Sequence, residues 1–354
     1  MSVDVLEKPV PASQAAQARR AVSVDVGYSY TKAVSASGRR ACFPSVAAPD
    51  GRDALGLAGV FGGGPPEHVV SVRFLDGRAG HYLVGDAARD SLLATGFLGA
   101  EKPAELHDLL VLTAAYLVGA GGSGLLPGQA ELAVGVPLAF YKAQKAALKA
   151  RLEGLAAWVS AGDGEERYVS FSRVLVLPQG AGVVFAQRDL PGRGFAAVVD
   201  VGQYTTDYLV VDLETGRPVL DACGSVEAGC HLVAQRVSQA YLAKTGRPLP
   251  PRMERRVLKD VAETGKAPFR GGEVDLSAEY RAAVKDAADA VARHVLTAWR
   301  DFADLVSVTL LAGGGALLLR DALLRAFPNA HLVAEPVFAN AVGYLRALSG
   351  TNPE

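Results

Sequence analysis

Two short stretches of this chain share a pattern of residues that suits the binding of phosphate groups and a metal ion. Residues 22–32 read Val-Ser-Val-Asp-Val-Gly-Tyr-Ser-Tyr-Thr-Lys, and residues 197–207 read Ala-Val-Val-Asp-Val-Gly-Gln-Tyr-Thr-Thr-Asp. Each stretch is an apolar run, then Asp-Val-Gly, then small or hydroxyl-bearing residues and a second apolar run. This order predicts a β-hairpin with an Asp at the end of its incoming strand and a Gly-containing turn.

The predicted turns contain the groups that polyphosphate binding requires. Gly27 and Gly202 lack a Cβ atom and allow close approach of the backbone, and the N–H groups of a tight turn form a concave anion site. The carboxylates of Asp25 and Asp200 would repel phosphate unless a cation lies between, and Mg²⁺ commonly uses one or two carboxylates while it keeps several waters. The other candidate nucleotide contacts are Tyr28, Ser29, Tyr30, Thr31, Lys32, Gln203, Tyr204, Thr205 and Thr206.

For two of these side chains the sequence leaves open whether they point into the site or away from it. Lys32 would add a positive charge to the site if it points inward, but it also fits an outward residue of the return strand. Tyr30 is bulky for a phosphate turn, and we expect it to face away along the hairpin. One Asp-x-Gly turn alone is typical of an ordinary hairpin, so the prediction depends on the second copy.

A run of three glycines supplies a third element. Gly313, Gly314 and Gly315 follow an apolar strand at 308–312 and precede a helical pattern. Such a turn lets the backbone lie flat against a base or ribose, and the helix that follows begins with free N–H groups. Taken alone, the run also fits a plain strand-to-helix turn.

The composition indicates a globular protein of about two domains. The chain has 354 residues, of which 50% are apolar and 21% charged, and its net charge is −1. This charge gives no overall basic field for nucleic acid. Three cysteines are too few for a disulfide framework and favour buried thiols in a reducing compartment. No apolar run is long enough to span a bilayer, so we expect a cytoplasmic protein without a membrane partner.

Strand and helix patterns alternate around the two hairpins, which indicates an α/β architecture of two duplicated lobes. Alternation predicts a further hairpin over Asp76-Gly77. Helices are expected, from their apolar spacing, at 103–119, 138–155, 180–188, 229–245, 252–268, 277–303, 316–327 and 340–348. Ser277 has the character of a helix cap followed by acidic residues.

The order of the motifs resembles that of the actin-like ATPase superfamily, and it is most similar to bacterial plasmid-segregation actins of the ParM/StbA type. Residues 25–32 and 200–207 match the two phosphate motifs, and residues 311–316 match the adenosine motif. Three more stretches resemble a characteristic strand and the two connecting segments of the family: residues 134–141, 174–182 and 335–344.

The resemblance implies an actin-like (ribonuclease H-like) duplicated two-lobe α/β fold with a nucleotide cleft between the lobes. We expect residues 1–20 to be a disordered tail. Lobe I is expected at 21–190, with a variable subdomain at about 50–100, and is completed by 335–350. Lobe II is expected at 191–334.

The resemblance also implies roles for individual residues. Asp25 and Asp200 would hold Mg²⁺ through water, and Gln179 stands where the family orients the attacking water, although its amide could instead finish a helix N-terminus after Pro178. Glu227 would touch the ribose or remain a solvated loop carboxylate, and Gly229 would begin a helix under the nucleotide. Many relatives have Gly or Thr and then Asn where this chain has Ser29 and Tyr30.

The function implied is a Mg²⁺-dependent ATPase, with GTP as the alternative nucleotide, that polymerises with itself into filaments for plasmid or DNA segregation. A nearly neutral chain would not grip DNA directly, so a separate DNA-binding adaptor is expected. One alternative is a small-molecule kinase on the same fold, although no His or Asp constellation for a general base stands out. Another is a nucleotide-binding scaffold without turnover, which Tyr30 favours.

Overall fold

The computed structural model describes most of the chain from Ala21 onward. The expected tail at 1–20 and nearly all of the expected loop at 50–66 lie outside the described residues. Those residues are 21–50, 68–89, 91, 93–97, 102–122, 128–327 and 329–350.

The first acidic hairpin belongs to a ten-stranded sheet. In chain order its strands are β1 (Ala21–Val26), β2 (Tyr30–Ser35), β3 (Arg40–Pro44), β4 (Val46–Pro49), β5 (Val69–Phe74), β6 (Ala79–Val84), β7 (Thr95–Gly96), β8 (Gly128–Val136), β9 (Ala156–Ala161) and β10 (Arg167–Pro178). Their order across the sheet is β3-β2-β1-β8-β10-β9-β5-β6-β4-β7.

The second acidic hairpin belongs to a six-stranded sheet. Its strands are β11 (Phe195–Val201), β12 (Thr206–Asp212), β13 (Arg217–Pro218), β14 (Gly224–Val226), β17 (Val306–Ala312) and β18 (Ala330–Leu332), and a separate hairpin is formed by β15 (Lys266–Phe269) and β16 (Gly272–Asp275). The order is β13-β12-β11-β17-β18, with β14 also paired to β12.

The two sheets share the same central arrangement. In the first, β1 pairs antiparallel with β2 and parallel with β8, which is parallel to β10. In the second, β11 pairs antiparallel with β12 and parallel with β17, which is parallel to β18. The repeated sequence pattern therefore corresponds to a repeated strand topology, as the two-lobe prediction requires.

Helices cover these sheets and also lie between them. They are α1 (Ala104–Leu117), α2 (Tyr141–Glu153), α3 (Ala181–Phe185), α4 (His231–Thr245), α5 (Pro251–Thr264), α6 (Ser277–Trp299), α7 (Gly314–Leu318), α8 (Arg320–Ala326) and α9 (Ala339–Gly350). None of the helices in the described part of the chain has the length and apolar character needed to cross a bilayer.

The alternation of side chains along β1 and β11 directs both acidic residues toward one helical layer. Even-numbered β1 residues pack in a core with α1, whereas Ala21 packs with Tyr344 and Leu348 of α9. On β11, Val198 shares a core with α3 and Ala339. Because side chains alternate along a strand, Asp25 and Asp200 lie on the faces turned toward α3 and α9.

The backbones of α3 and α9 touch at Gly182 and Gly343. A Cβ atom added to Gly343 would lie 1.7 Å from the carbonyl oxygen of Gly182, and one added to Gly182 would lie 2.6 Å from the carbonyl oxygen of Asn340. Only glycine fits here, because the obstructing atoms are backbone atoms that cannot rotate away.

We expect Gly343→Ala to lower the free energy of unfolding by about 3 kcal/mol, the upper range for overpacking of a tight core. Gly350→Ala is the matched control, since the same helix has open space around Gly350. Denaturant unfolding of both variants tests this, and an unfolding midpoint of Gly343→Ala equal to that of Gly350→Ala would contradict the close crossing.

Several elements differ from the sequence predictions. The predicted helix at 138–155 begins as a 3₁₀ turn at Leu138–Phe140, and β9, which was not predicted, follows α2. The predicted helix at 252–268 ends at Thr264 because Gly265 takes a left-handed conformation with φ 76°. The hairpin that follows turns through Arg270 and Gly271, both with positive φ, a turn whose usual signal is Asn-Gly or Asp-Gly.

Two further differences concern helix ends. Leu276, not Ser277, occupies the cap position of α6, and the N–H of Ser277 donates to Asp275 Oδ1 at 2.8 Å. The side chain that accepts the first N–H of the helix thus belongs to an aspartate two residues before Ser277. The predicted helix at 316–327 is divided into α7 and α8 and begins within the glycine run.

Candidate functional site

The two acidic hairpins have the same turn geometry. The N–H of Gly27 donates to the carbonyl oxygen of Tyr30 at 3.0 Å, and the N–H of Gly202 donates to the carbonyl oxygen of Thr205 at 2.8 Å. A Cβ atom on either glycine would lie 2.9 Å from that same carbonyl oxygen. Glycine is therefore required by the tightness of each turn, and the two turns are structural copies.

Both turns line one cleft, with a cavity of about 580 Å³. This volume is within the range of small-molecule and cofactor sites. The cleft also collects the glycine run and residues of α5 and α9. The predicted site residues that line it are Asp25, Gly27, Tyr28, Ser29, Tyr30, Lys32, Gln179, Asp200, Gly202, Gln203, Thr205, Gly313, Gly314 and Gly315.

Hydrogen bonds hold the carboxylate of Asp25 from two directions. Lys32 Nζ lies 3.2 Å from Asp25 Oδ2, and Gln179 Nε2 donates to Asp25 Oδ1 at 3.1 Å. Lys32 therefore points inward, toward the cleft. Gln179 follows directly after β10, and its own N–H donates to the carbonyl oxygen of Val136 at 2.8 Å, so the end of the sheet fixes its position.

Asn340 performs the corresponding task for Asp200. Its Nδ2 donates to Asp200 Oδ2 at 2.6 Å, and its Oδ1 accepts from the N–H of Gly180 at 3.0 Å. Asn340 is buried at the start of α9. One amide thus ties the second acidic turn to the segment that carries Gln179.

The cleft has an excess of buried negative charge. Burial, reinforced by the nearby charge of Asp25, raises the pKa of Asp200 to about 6, and burial with the charge of Asp200 raises the pKa of Asp207 to about 7. Burial works to lower the pKa of Lys32, but the carboxylates of Asp25 and Asp200 outweigh it and raise that pKa. A cation held between the carboxylates would relieve this repulsion.

These shifts predict a pH dependence of the ligand-free protein. Asp200 and Asp207 bind a proton more tightly when folded than when unfolded, so their contribution favours folding at low pH and is lost as the pH rises through about 6 to 7. We expect it to fall by about 2–4 kcal/mol between pH 5 and pH 8. Burial lowers the pKa of His107, which acts in the opposite direction.

The measurement is therefore a difference in the free energy of unfolding between wild type and the Asp200→Asn/Asp207→Asn double variant across that pH range. The gap should widen in favour of the variant as the pH rises. A gap that stays constant from pH 5 to pH 8 would contradict the pKa shifts.

The donor set fits Mg²⁺ bound through water. Within the described residues, no three His, Cys, Asp or Glu side chains converge to hold a metal directly. Two carboxylates on opposite walls, Asp25 and Asp200, suit an ion that retains waters and takes further ligands from phosphates. Burial and the charge of Asp25 raise the pKa of Asp200, and a divalent cation between the two carboxylates would offset both effects.

The glycine run completes the cleft on the side of the smaller sheet. Gly313 has φ 84°, its N–H donates to the carbonyl oxygen of Pro336 at 2.9 Å, and an added Cβ atom would lie 2.3 Å from the carbonyl oxygen of Val201. Gly314 has open space around the position of a Cβ atom. The run packs closely against β11 at one glycine and presents bare backbone to the cleft at the next.

Comparison with known proteins agrees with this geometry. Residues 23–182 match the family described as "Actin like proteins N terminal domain", and residues 198–325 match "Archaeal actin homologue MreB-like, C-terminal". The chain belongs to the actin-like ATPase superfamily. The expected actin-like α/β fold is thereby confirmed.

Individual relatives are similar over nearly their whole length. An archaeal actin homolog of Thermoplasma acidophilum is 25% identical over 334 residues, covering 91% of this chain and 97% of the relative. A ParM filament from Clostridium botulinum matches with TM-score 0.79, 23% identity and coverage of 94% and 100%. An archaeal actin homolog solved with ADP matches with TM-score 0.72, 24% identity and coverage of 94% and 99%.

Some predicted contacts of this actin-like chain support the turns instead of lining the cleft. Thr31 Oγ1 is 2.9 Å from Ser45 Oγ, and Thr206 Oγ1 donates to the carbonyl oxygen of Ala228 at 2.7 Å; both threonines are buried. Gly229 packs under the second turn, since a Cβ atom there would lie 2.7 Å from the carbonyl oxygen of Gly202. These residues shape the turns from behind.

Two other predicted residues lie on a second cavity of about 330 Å³. Tyr204 and Glu227 line this cavity and are not among the residues that line the cleft. This cavity adjoins the cleft, since Tyr28 and Thr205 line both, and the role of Glu227 as a ribose contact stays a prediction. Glu254, at the start of α5, lines the cleft together with Asp200 and Asp207 of the smaller sheet.

The expected direction of Tyr30 is wrong. Tyr30 lines the cleft, and its ring contacts the guanidinium of Arg255 from α5, with Cζ 4.3 Å from the ring centroid. The reason is strand alternation: Tyr30 and Lys32 are two residues apart on β2 and share a face. Because Lys32 pairs with Asp25 in the cleft, Tyr30 must face the same way.

The site also contains three residues that were not predicted from the sequence: Asn340, Arg255 and Lys102. Asn340 lies within the stretch that resembles the second connecting segment, so a signal was present. Lys102 donates to the carbonyl oxygen of Val26, lies over the ring of Tyr28 at 4.7 Å, and has its pKa lowered by burial to about 8. Neither Lys102 nor Arg255 belongs to a motif, and only the folded chain brings them to the first turn.

Proposed function

We propose that this protein binds ATP with Mg²⁺ in the cleft, hydrolyses it, and polymerises into filaments. The observation that carries the proposal is the placement of two copies of one acidic glycine turn on the same cavity, with Asp25 and Asp200 facing the same helical layer. The relatives support the nucleotide and the filament: one is an archaeal actin homolog in complex with ADP and another is a ParM filament.

The residues of the cleft suit phosphoryl transfer to water. The N–H groups of the two turns and Lys32 would bind phosphate oxygens, and Mg²⁺ held by Asp25 and Asp200 through water would neutralise charge on the phosphates. Gln179 Nε2 donates a hydrogen bond to Asp25. Its Oε1 is then free to accept a hydrogen bond from the attacking water. Catalysis of this reaction relies on positioning and electrostatics more than on covalent chemistry.

The lobes would move about this bound nucleotide. We propose residues 21–190 with 335–350 as lobe I and residues 191–334 as lobe II, a division supported by the strand content of each sheet and by the packing of α9 against β1. ATP would favour the closed lobes and subunit addition, and hydrolysis would loosen the polymer. A role in DNA segregation would require a separate DNA-binding adaptor, because the net charge of −1 gives no general attraction to DNA.

Sedimentation and electron microscopy with Mg²⁺-ATP test the proposal. We expect pelletable filaments that require both Mg²⁺ and nucleotide, with phosphate release over the same period. The same assay with Mg²⁺-GTP compares the two nucleotides. Absence of polymer across a wide range of protein concentration and salt, together with absence of phosphate release, would contradict it.

A scaffold that binds nucleotide without turnover is the second candidate. The position of Tyr30 in the cleft favours it, because a bulky ring occupies part of the first phosphate turn. The two candidates differ in one measurement, the release of phosphate in single-turnover conditions. Phosphate release lost in the Asp200→Asn variant would exclude the scaffold, whereas tight nucleotide binding with no release would favour it.

A further inference from the structure

We propose that Tyr30 and Arg255 form a clasp that closes the cleft behind a bound nucleotide and sets how long the nucleotide stays. The inference deepens the proposed function and rests on it, because the clasp is argued to retain the nucleotide of that same cleft. It assigns a role to Tyr30, a residue of the first turn that departs from the family pattern, and to an arginine outside every motif.

The two members of the clasp come from opposite sides of the cleft. Tyr30 begins β2 of the larger sheet, and Arg255 lies in the first turns of α5, which packs with the smaller sheet. The guanidinium carbon of Arg255 is 4.3 Å from the centroid of the Tyr30 ring, well within the range of a cation–π contact. Within the described residues, Arg255 makes no ion pair with a carboxylate, so the ring is its contact across the cleft.

A second arginine contacts Tyr30 from the side of the larger sheet. Arg89 Nη2 donates to Tyr30 Oη at 3.2 Å, and Arg89 Nη1 lies 2.6 Å from Asp86 Oδ1. Asp86 and Arg89 follow β6 at a 3₁₀ turn of the larger sheet. The Tyr30 ring is thus anchored on its own side and offered as a platform to the opposite side.

The backbone of Tyr30 links the clasp to the phosphate turn. Its carbonyl oxygen accepts the hydrogen bond from Gly27 that closes the first turn. The turn that would contact phosphate and the ring that meets Arg255 are therefore parts of one continuous unit. A nucleotide bound at this turn would lie directly beside the clasp.

The strength of cation–π contacts sets the size of the effect. The loss of such a contact corresponds to a change of about 2- to 30-fold in the rate at which nucleotide leaves. Tyr30→Phe retains the ring and loses only the hydroxyl, so it should change the rate less than Tyr30→Leu. Arg256→Ala is the matched control, because Arg256 is the exposed neighbour on the same helix.

The experiment measures release of a fluorescent ADP analogue from the full-length protein by rapid mixing with excess ADP. We expect Tyr30→Leu and Arg255→Ala each to speed release by about 2- to 30-fold, with Arg256→Ala at the wild-type rate. The double variant should be no faster than the faster single variant, because both substitutions remove one contact. If Tyr30→Leu does not fold, the release rates of Tyr30→Phe and Arg255→Ala still test the clasp.

Four results would overturn the clasp. Additive effects in the double variant would mean that the residues act separately. Faster release in Arg255→Ala with an unchanged rate in Tyr30→Leu would mean that Arg255 contacts the nucleotide itself. If the wild-type protein binds no ADP analogue, the proposed function fails and the clasp with it, whereas normal binding with unchanged release in every variant removes the clasp alone.

Discussion

The Asp200→Asn variant should lose ATP hydrolysis by about 100-fold or more while its ligand-free form becomes more stable than wild type at pH 7.5. The loss follows because an amide removes one of the two negative charges available to a magnesium ion. Asn340 can still bond to the new side chain, since an amide oxygen accepts the hydrogen bond that Asp200 Oδ2 accepts now. The turn geometry should therefore survive the substitution.

The gain in stability has the opposite origin. At pH 7.5 the folded protein holds Asp200 charged although burial and the charge of Asp25 raise its pKa to about 6. Removing that charge should increase the free energy of unfolding by about 1–3 kcal/mol. It should also lower the pKa of Asp207, which burial and the charge of Asp200 raise.

Thermal unfolding with and without Mg²⁺-nucleotide measures the effect on stability, and phosphate release measures the loss of hydrolysis. Wild type should gain stability on addition of Mg²⁺-nucleotide and Asp200→Asn should not. The variant should therefore be the more stable protein without ligand, and wild type the more stable one with it. Asp286→Asn, an exposed carboxylate on α6, is the control. A variant that is less stable than wild type without ligand, or that keeps its hydrolysis rate, would contradict the assignment of Asp200.

The second large effect is expected at Gln179. Gln179→Ala should lower the rate of ATP hydrolysis by about 10- to 100-fold and leave nucleotide affinity within a few-fold of wild type. Gln179 is buried, and its amide nitrogen is engaged by Asp25 at 3.1 Å, so its oxygen is held in a defined direction. An enzyme that positions water through one amide oxygen loses rate more than binding when that oxygen is removed.

A purely structural role of Gln179, in which its amide only supports Asp25, predicts a different outcome. If the amide only braces Asp25, Gln179→Ala should raise the Mg²⁺ concentration required for activity while the rate at saturating Mg²⁺ stays the same. Steady-state hydrolysis measured over a range of Mg²⁺ concentrations separates these cases. An unchanged maximal rate that requires a higher Mg²⁺ concentration would show that Gln179 does not position the water.

Much of the cleft could be predicted because its local geometry is encoded by local residues. The tight turns need glycine at Gly27 and Gly202, and their incoming strands are apolar, so both hairpins are visible in the sequence. The strand before the glycine run is visible for the same reason. These are features in which short-range backbone constraints and side-chain alternation agree.

The parts that could not be predicted depend on contacts between distant segments. Arg255 contacts Tyr30 although the two residues are 225 positions apart in the sequence (255 minus 30). No periodic pattern of residues predicts such a contact. Glu227 was predicted to touch the ribose or to remain a solvated loop carboxylate, and the fold places it on a cavity that adjoins the cleft at Tyr28 and Thr205. Tyr30 is an instructive case, because the period of β2 already required it to share a face with Lys32.

A crystal structure with Mg²⁺ and a non-hydrolysable ATP analogue tests the central claim most directly. We predict one triphosphate lying between the turns at Gly27 and Gly202, with a single hydrated Mg²⁺ within reach of both Asp25 and Asp200. Electron density for the analogue on another surface, or phosphates held by only one of the two turns, would contradict it.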